Sequence, residues 1–378
     1  MPPEPVAGEA VRPPITIAHD NLFWYGGAER IVATIAEAFP EAPFWAILGR
    51  QEVADRMGVG DRYRALLPEH KALLANYRKL APLYPGLLRA RPLPETDLLL
   101  TSSFAFAHHF RTRNDAPQLC YCYSPLRFAW SMTEQYGEEF GAAGRLAGLA
   151  AAMLRRSDRS AAARVTRYIA ESRFIADQIR RFYGRDADVI YPPVDCDLFR
   201  PSTGSHDSYY LFCGRLVEAY KRPSVAVEAF SRLPGKRLVV AGEGPALAEL
   251  KRIAGPNVEF LGHVGDDRLV PLMQRCAAVV FPSCDDFGLI PVEAMACGRP
   301  VLAFAAGGAL ETVVAGETGE FFTEQSATAL ADAVRAFDPD AYDPGAIRAH
   351  AERWRAERFV AEILAAADRA LPAGRSTA

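Results

Sequence analysis

Ala278-Val279-Val280-Phe281 is an apolar, β-branched run that stops abruptly at a polar loop. A strand that is apolar on both faces has to be covered on both faces, which is the condition of a parallel sheet layered between helices. The loop that follows, Pro282-Ser283-Cys284-Asp285-Asp286-Phe287-Gly288, carries two carboxylates and a glycine. Pro291-Val292-Glu293-Ala294-Met295-Ala296 then reads as a helix start with proline in its first turn. Backbone amides at such a strand-to-helix junction point outward and can hold a phosphate or a sugar hydroxyl. Asp285 and Glu293 flank the junction, so both can face one ligand. Carboxylates suit hydroxyls and repel phosphate, so the combination fits a ligand with both groups, such as a nucleotide sugar.

A second segment points the same way. Tyr209-Tyr210-Leu211-Phe212-Cys213 reads as a strand, and Gly214-Arg215-Leu216-Val217-Glu218-Ala219-Tyr220-Lys221 leaves its carboxyl end toward a helix expected over Ser224–Leu233. Two cations, Arg215 and Lys221, at the carboxyl edge of a parallel sheet are placed to neutralise a diphosphate. Two solvated surface cations would look identical in isolation. The acidic junction farther along the same run of βα units favours the ligand.

With these segments in place, the chain resembles the retaining GT-B glycosyltransferases of glycosyltransferase family 4. Tyr25-Gly26-Gly27-Ala28-Glu29-Arg30 is similar to the family's N-terminal glycine loop, and Gly214-Arg215 with Lys221 to its diphosphate pair. Val240-Ala241-Gly242-Glu243-Gly244-Pro245 is similar to its next glycine turn, and Asp285 through Glu293 to its paired-carboxylate element. The motifs span roughly residues 15 to 325. The resemblance implies an α/β fold of the GT-B type: two Rossmann-like domains with parallel sheets facing across a cleft, and a C-terminal helix crossing back to the first domain. It implies catalytic roles for Arg215, Lys221, Asp285 and Glu293. Donor contacts are implied at Gly26, Gly27, Gly214, Glu243, His263, Phe287, Gly288, Leu289 and Ile290, and acceptor or donor-sugar contacts at Asp20 and Tyr123. Glu243 reads otherwise as a plain loop residue, and the Gly262-His263 turn equally as core support.

Asp-Asp-Phe-Gly-Leu-Ile-Pro-Val-Glu ending at Glu293, with Ser124-Pro125-Leu126-Arg127-Phe128-Ala129-Trp130, most resembles the branch of mannosyltransferases in O-antigen and exopolysaccharide assembly. That resemblance implies a hexosyltransferase moving mannose from GDP-mannose to a lipid-linked or oligosaccharide acceptor, with retention, no cofactor and no metal. A UDP-sugar-dependent transferase and a degenerate, non-catalytic nucleotide-sugar binder are the alternatives. Two positions depart from the family pattern: Asp285 stands where glutamate is usual, and Tyr123 where the branch has histidine, the residue associated with the donor sugar's 6-hydroxyl.

Composition bounds the remainder. A chain of 378 residues, 50% hydrophobic and 24% charged, is long enough for two cores. A net charge of −3 argues against nucleic acid as partner. Seven cysteines, an odd number, read as reduced core thiols of a cytosolic protein. His108-His109 lacks a metal partner at helical spacing and reads as a surface or near-acceptor pair; no metal site is expected. Residues 1–14 carry no apolar core of a secretion signal, and no apolar run is long enough to span a bilayer. Residues 1–14 and the tail from Ala373 are expected to be disordered.

Residues 15–201 are assigned to an N-terminal acceptor-binding domain, 202–345 to a nucleotide-sugar-binding domain, and 346–378 to the crossover helix and tail, with Trp354, Phe359, Ile363 and Leu364 as its apolar set. From Arg62 to Arg91 seven basic residues (Arg62, Arg64, Lys71, Arg78, Lys79, Arg89, Arg91) interleave with leucines and tyrosines against one acid, Glu69. This reads equally as a peripheral surface for anionic lipid, at the inner face of the cell membrane, or as a solvated helix pair packed on its domain.

Overall fold

The computed structural model describes residues 14–130 and 144–371, so the expected disorder of both termini lies outside the described residues. The chain divides into two compact units, one formed by Met1–Glu171, Ile175–Ile190 and Phe359–Ala378, the other by Ser172–Phe174 and Tyr191–Arg358. Each is an α/β unit around one parallel sheet.

The first sheet is built from β1 (Ile15–Leu22), β2 (Phe44–Gly49), β3 (Tyr63–Ala65), β4 (Leu98–Ser103), β5 (Gln118–Cys122), β6 (Arg167–Ala170) and β7 (Ala187–Val189). Its order is β3-β2-β1-β4-β5-β6-β7, with every neighbouring pair parallel. The second holds β8 (Tyr209–Cys213), β9 (Arg237–Ala241), β10 (Val258–Gly262), β11 (Ala278–Phe281), β12 (Val301–Phe304) and β13 (Gly319–Phe322), in the order β10-β9-β8-β11-β12-β13. Its pairs are parallel too. Both sheets therefore run outward from a central strand, return to its other side and run outward again. Both are Rossmann-like.

The apolar runs become central strands because helices cover both faces. Leu211, Val279, Val301 and Leu302 are all fully buried, and each such side chain contributes about 1.5–3 kcal/mol of transfer free energy. Odd and even residues of one strand enter different cores. Leu211 and Val279 pack with Met273, Met295 and Trp354 on one face of the sheet. Tyr210, Ala278 and Val280 pack with Phe230, Leu330 and Val334 on the other.

Two strands lack an apolar run of their own. β3 is a three-residue edge strand, half exposed and carrying Arg64, so it has no apolar run to announce it. β13 opens on Gly319, where a Cβ would sit 2.0 Å from the Val301 carbonyl oxygen, so backbone approach rather than side-chain pattern defines it. The stretch expected to hold the crossover helix is three elements: Pro344–Ala351, a 3-10 turn at Glu352–Trp354, and Ala356–Ala370. The apolar set divides accordingly. Trp354 belongs to the core of the second unit beside Phe287, whereas Phe359 stands edge-on to Tyr121 in the first. Among the described residues no helix is long and apolar enough to cross a membrane.

Gly319→Ala should lower stability by roughly 1–3 kcal/mol, because the added methyl displaces β13 from β12. Denaturant unfolding measures it, and an unchanged midpoint would mean the edge strand yields freely.

Candidate functional site

In the second unit the chain leaves β8 toward β9 and β10, then returns to β11 on the opposite side of β8. The carboxyl ends of β8 and β11 thus flank the point where strand order reverses, which is where open α/β sheets bind ligands. The two loops that leave these ends are Gly214–Lys221 and Pro282–Gly288, and they are tied together. Cys284 N–H donates to the Tyr220 carbonyl at 3.2 Å, and Ser283 Oγ–H to the Lys221 carbonyl at 3.3 Å. Lys221 Nζ forms an ion pair with Asp285 Oδ2, both side chains largely buried. Asp285 Oδ1 is shut from solvent with no hydrogen-bond partner among the described residues. The structure therefore brings together a cation and a carboxylate that lie 64 positions apart in the chain.

Close backbone contacts build this corner. A Cβ on Gly242 would lie 1.9 Å from the Gly214 carbonyl oxygen, and one on Gly244 2.4 Å from that of Leu216. The turn after β9 therefore lies directly on the loop after β8, with Leu216 N–H donating to the Glu243 carbonyl at 2.9 Å. Gly307 and Gly308 lie equally close to Asp285 and Phe287, and Gly308 N–H donates to the Asp285 carbonyl at 2.9 Å. Gly288, at φ +85, turns the chain into helix Leu289–Ala296 with a left-handed residue.

That helix is apolar except for Glu293, which is 8% exposed. Glu293 stands near Cys213 at the end of β8; burial pushes that thiol well up, and the Glu293 charge adds to the shift. A buried carboxylate in an otherwise apolar helix, at the ligand edge of the sheet, is a candidate for hydroxyl recognition. Arg215, Glu243 and His263 are exposed at the ends of β8, β9 and β10; Leu289 and Ile290 are half-buried, Ile290 beside Gly214. Phe287 is a different case. It is 2% exposed and packs against Tyr191 and Trp354, so its ring is core and only its backbone belongs to the loop. Glu311, on the helix after the glycine pair, accepts from Arg173 N–H, Phe174 N–H and Tyr191 O–H, a structural role.

In the first unit, two expected sugar contacts are occupied internally. Asp20 is fully buried, and its carboxylate accepts four backbone N–H groups: Phe104 (2.7 Å), Ala105 (3.0 Å), Phe106 and Ala107 (2.8 Å). Burial pushes the carboxyl up, while His19 and these N–H groups pull it down. Asp20 thus builds the turn after β4 rather than meeting a sugar. Tyr123, 5% exposed, donates to the Ala28 carbonyl at 3.0 Å, and its oxygen lies 2.8 Å from Ser102 Oγ. Ser102 Oγ is in turn 3.0 Å from His19 Nδ1. With Tyr123 donating to Ala28, Ser102 donates to Tyr123 and the N–H of His19 lies on Nδ1. Gly26 N–H donates to Glu29 at 3.0 Å, and Gly27 opens helix Gly27–Ala38.

His108 and His109, expected as a surface or near-acceptor pair, are buried, and Asp158 from the distant helix Gly144–Ala162 reaches both. Their Nε2 atoms lie 2.9 and 3.1 Å from Asp158 Oδ1, while Trp130 Nε1 donates to Oδ2 at 2.6 Å. This is the one group of metal-competent side chains among the described residues. Three N–H donors satisfy the carboxylate, so hydrogen bonding accounts for the arrangement. Burial lowers the His109 imidazole to about 4, and the histidines hold Asp158 well below the usual carboxylate range against the opposing effect of its burial.

A family model described as "Glycosyltransferase Family 4" matches residues 25–198, and one described as "Glycosyl transferases group 1" matches residues 207–337. D-inositol 3-phosphate glycosyltransferases of Mycobacterium tuberculosis and Mycobacterium bovis are 34% identical over 183 residues, 42% of this chain and 38% of theirs. The match thus spans well under half the length of those relatives. Among solved structures, Anabaena HepE in complex with UDP and glucose aligns with a TM-score of 0.69 at 21% identity, covering 93% of this chain and 98% of that one. Sucrose-phosphate synthase from Thermosynechococcus elongatus aligns at 0.67 and 19% identity, covering 93% and 97%. The lipopolysaccharide outer core galactosyltransferase WaaB aligns at 0.63 and 15% identity, covering 93% and 98%. At such identities the likeness is one of fold.

Asp20→Ala should destabilise the protein by about 3–5 kcal/mol, since several buried N–H groups lose their acceptor at once; an unfolding midpoint near wild type would remove that role. Acid should also weaken the fold. The unfolded chain protonates an imidazole near 6.5, whereas His109 resists until about 4, so stability is lost as pH falls through that window. Unfolding midpoints at pH 7, 6 and 5 should show this slope, and His109→Gln should flatten it.

Proposed function

The chain belongs to the group 1, family 4 glycosyltransferases of GT-B fold, and we propose that it transfers a hexose, mannose from GDP-mannose, with retention of configuration, to a lipid-linked or oligosaccharide acceptor in cell-surface polysaccharide synthesis. The observation that carries the reading is the Lys221–Asp285 pair at the switch point of the second sheet. A diphosphate arriving there takes over Lys221, with Arg215 on the same loop as second cation. Asp285 is then released toward hydroxyls of the transferred sugar, and Glu293 supplies two acceptor oxygens to the ribose. Phe287 and Gly288 contribute backbone groups to the donor, as do Gly26 and Gly27.

In this reading the bond between the sugar's C1 and the phosphate oxygen breaks while the acceptor oxygen bonds C1 on the same face. The acceptor proton passes to the departing phosphate. Stabilising the charge on that leaving group is the main catalytic effect. Two cations suffice for it without a metal ion, and no side-chain nucleophile is required.

A second reading, a UDP-hexose donor, is favoured by the HepE complexes with UDP and UDP-glucose. In this reading the acceptor side lies at the inner face of the membrane, and the exposure of Lys71, Lys79, Arg89 and Leu83 supports contact with anionic lipid. Arg62 does not join them. Its guanidinium donates to the Ala36, Phe39 and Ala42 carbonyls and closes the end of helix Gly27–Ala38.

Lys221→Ala and Arg215→Ala should each lower kcat roughly 100- to 1,000-fold with the fold intact; near-normal turnover in both would remove the diphosphate role. Glu293→Gln should weaken nucleoside-diphosphate binding in calorimetry, while Asp285→Asn should cost turnover more than affinity. Thermal-shift screening of GDP, UDP, ADP and dTDP decides the base. Stabilisation by GDP is expected, and stabilisation by UDP alone would replace mannose with a UDP-hexose.

A further inference from the structure

Glu218 lies between the two candidate cations, Arg215 and Lys221, in the loop that leaves β8. A carboxylate in that place would ordinarily neutralise one of them. Both of its oxygens go to Ser224 instead: Oε1 accepts from Ser224 N–H at 2.9 Å and Oε2 from Ser224 Oγ–H at 2.7 Å. Ser224 stands in the first turn of helix Pro223–Ser231, where backbone N–H groups have no partner inside the helix. The clamp spans Arg222, which joins the helical turn Glu218–Lys221 to that helix in a left-handed conformation, φ +48 and ψ +47. A residue with a side chain takes up that conformation at a cost, and holds it only where its surroundings impose it. Arg222 is exposed, whereas Pro223 beyond it is buried.

The turn bears directly on Lys221. Lys221 N–H donates to the Val217 carbonyl at 3.1 Å, and its carbonyl accepts from Ser283 Oγ–H at 3.3 Å. Its Nζ lies 5.7 Å from the centre of the Tyr220 ring and 5.8 Å from that of Phe281, besides the ion pair with Asp285. A relaxed Arg222 would redirect the chain immediately after Lys221 and loosen this set of contacts. We propose that Glu218 is a positioning residue for Lys221: clamped on Ser224, it holds Arg222 left-handed and so keeps the Lys221 ammonium aimed at Asp285 and, once a donor is bound, at the leaving diphosphate. Glu218 acts through this geometry and touches no reacting atom. The assignment rests on the glycosyltransferase reading above and adds to it a residue whose loss is felt in turnover.

Competitive acetylation of the intact chain by acetic anhydride, read by mass spectrometry, reports the access to Lys221 without any substrate. In the wild type Lys221 should label more slowly than exposed Lys71. Glu218→Ala should erase most of that difference, whereas Glu218→Gln, whose amide oxygen still accepts from Ser224 N–H, should keep it. Ser224→Ala, which retains the backbone bond, should fall between the two. Release of GDP from GDP-mannose, or of UDP from UDP-glucose where UDP is the nucleotide that stabilises, measures the consequence. Glu218→Ala should lower kcat roughly 10- to 100-fold with a smaller change in KM, and Glu218→Gln should recover most of the loss. In a Lys221→Ala background Glu218→Ala should cost nothing further, because it acts through that ammonium. Unchanged Lys221 labelling in Glu218→Ala, or a loss of kcat that adds in full to that of Lys221→Ala, would overturn the proposal. Failure of the glycosyltransferase reading itself would show separately: the wild type would neither turn over a nucleotide sugar nor be stabilised by any nucleoside diphosphate, while the labelling contrast persisted.

Discussion

The second unit depends on how closely its backbone can approach itself at the edge of the sheet. Gly242 sits where any side chain would overlap the Gly214 carbonyl, and Gly308 where one would overlap the Phe287 backbone. These contacts press the loops after β8, β9 and β11 onto one another and onto the glycine pair that follows β12. Without them the loops would splay, and Lys221 would not reach Asp285. The ion pair is thus a product of backbone packing. Two charges held against each other in a largely buried corner gain little net stability. Their arrangement makes more sense as a site in which each group holds the other in orientation.

The first unit spends its buried charges differently. Asp20 serves four amides of one turn, Tyr123 closes a chain of hydroxyl and imidazole groups onto the Ala28 carbonyl, and Asp158 gathers three ring N–H groups. All three are fully served by the protein. A sugar hydroxyl reaching them would have to displace an internal bond of equal quality, which gives no net gain. These groups of the first unit are satisfied internally, whereas Asp285 Oδ1 in the second has no hydrogen-bond partner among the described residues.

Much of the fold was legible because its strands are apolar on both faces, and that pattern needs no partner to be recognised. β3 and β13 were hidden because one is a short edge and the other depends on a glycine's lack of a side chain. At the candidate site, Lys221 and Asp285 drew notice as charges in loops at the carboxyl ends of strands, and Glu293 as the one charge in an apolar helix. Asp20 and Tyr123 stood out for the same reason, yet their reason is structural: the amides and hydroxyls they satisfy are supplied by segments more than 80 positions away for Asp20 and by Ser102 and Ala28 for Tyr123. His108, His109 and Asp158 were missed on the same ground, since the carboxylate lies 50 and 49 positions from the two rings. Periodicity reports which face of an element is buried. It does not report which polar group waits there.

This asymmetry bears on where discrimination between ligands can arise. Groups such as Asp20 and Asp158, whose partners stay in place whatever binds, contribute the same interaction to every ligand and cannot select among them. Selection has to come from groups whose interactions change on binding. Lys221 and Asp285 meet that condition: their ion pair is with each other, and Asp285 Oδ1 has no hydrogen-bond partner among the described residues. A corner of this kind must give up its own ion pair to take up a charged ligand, so it favours a compact group whose charge offsets that loss.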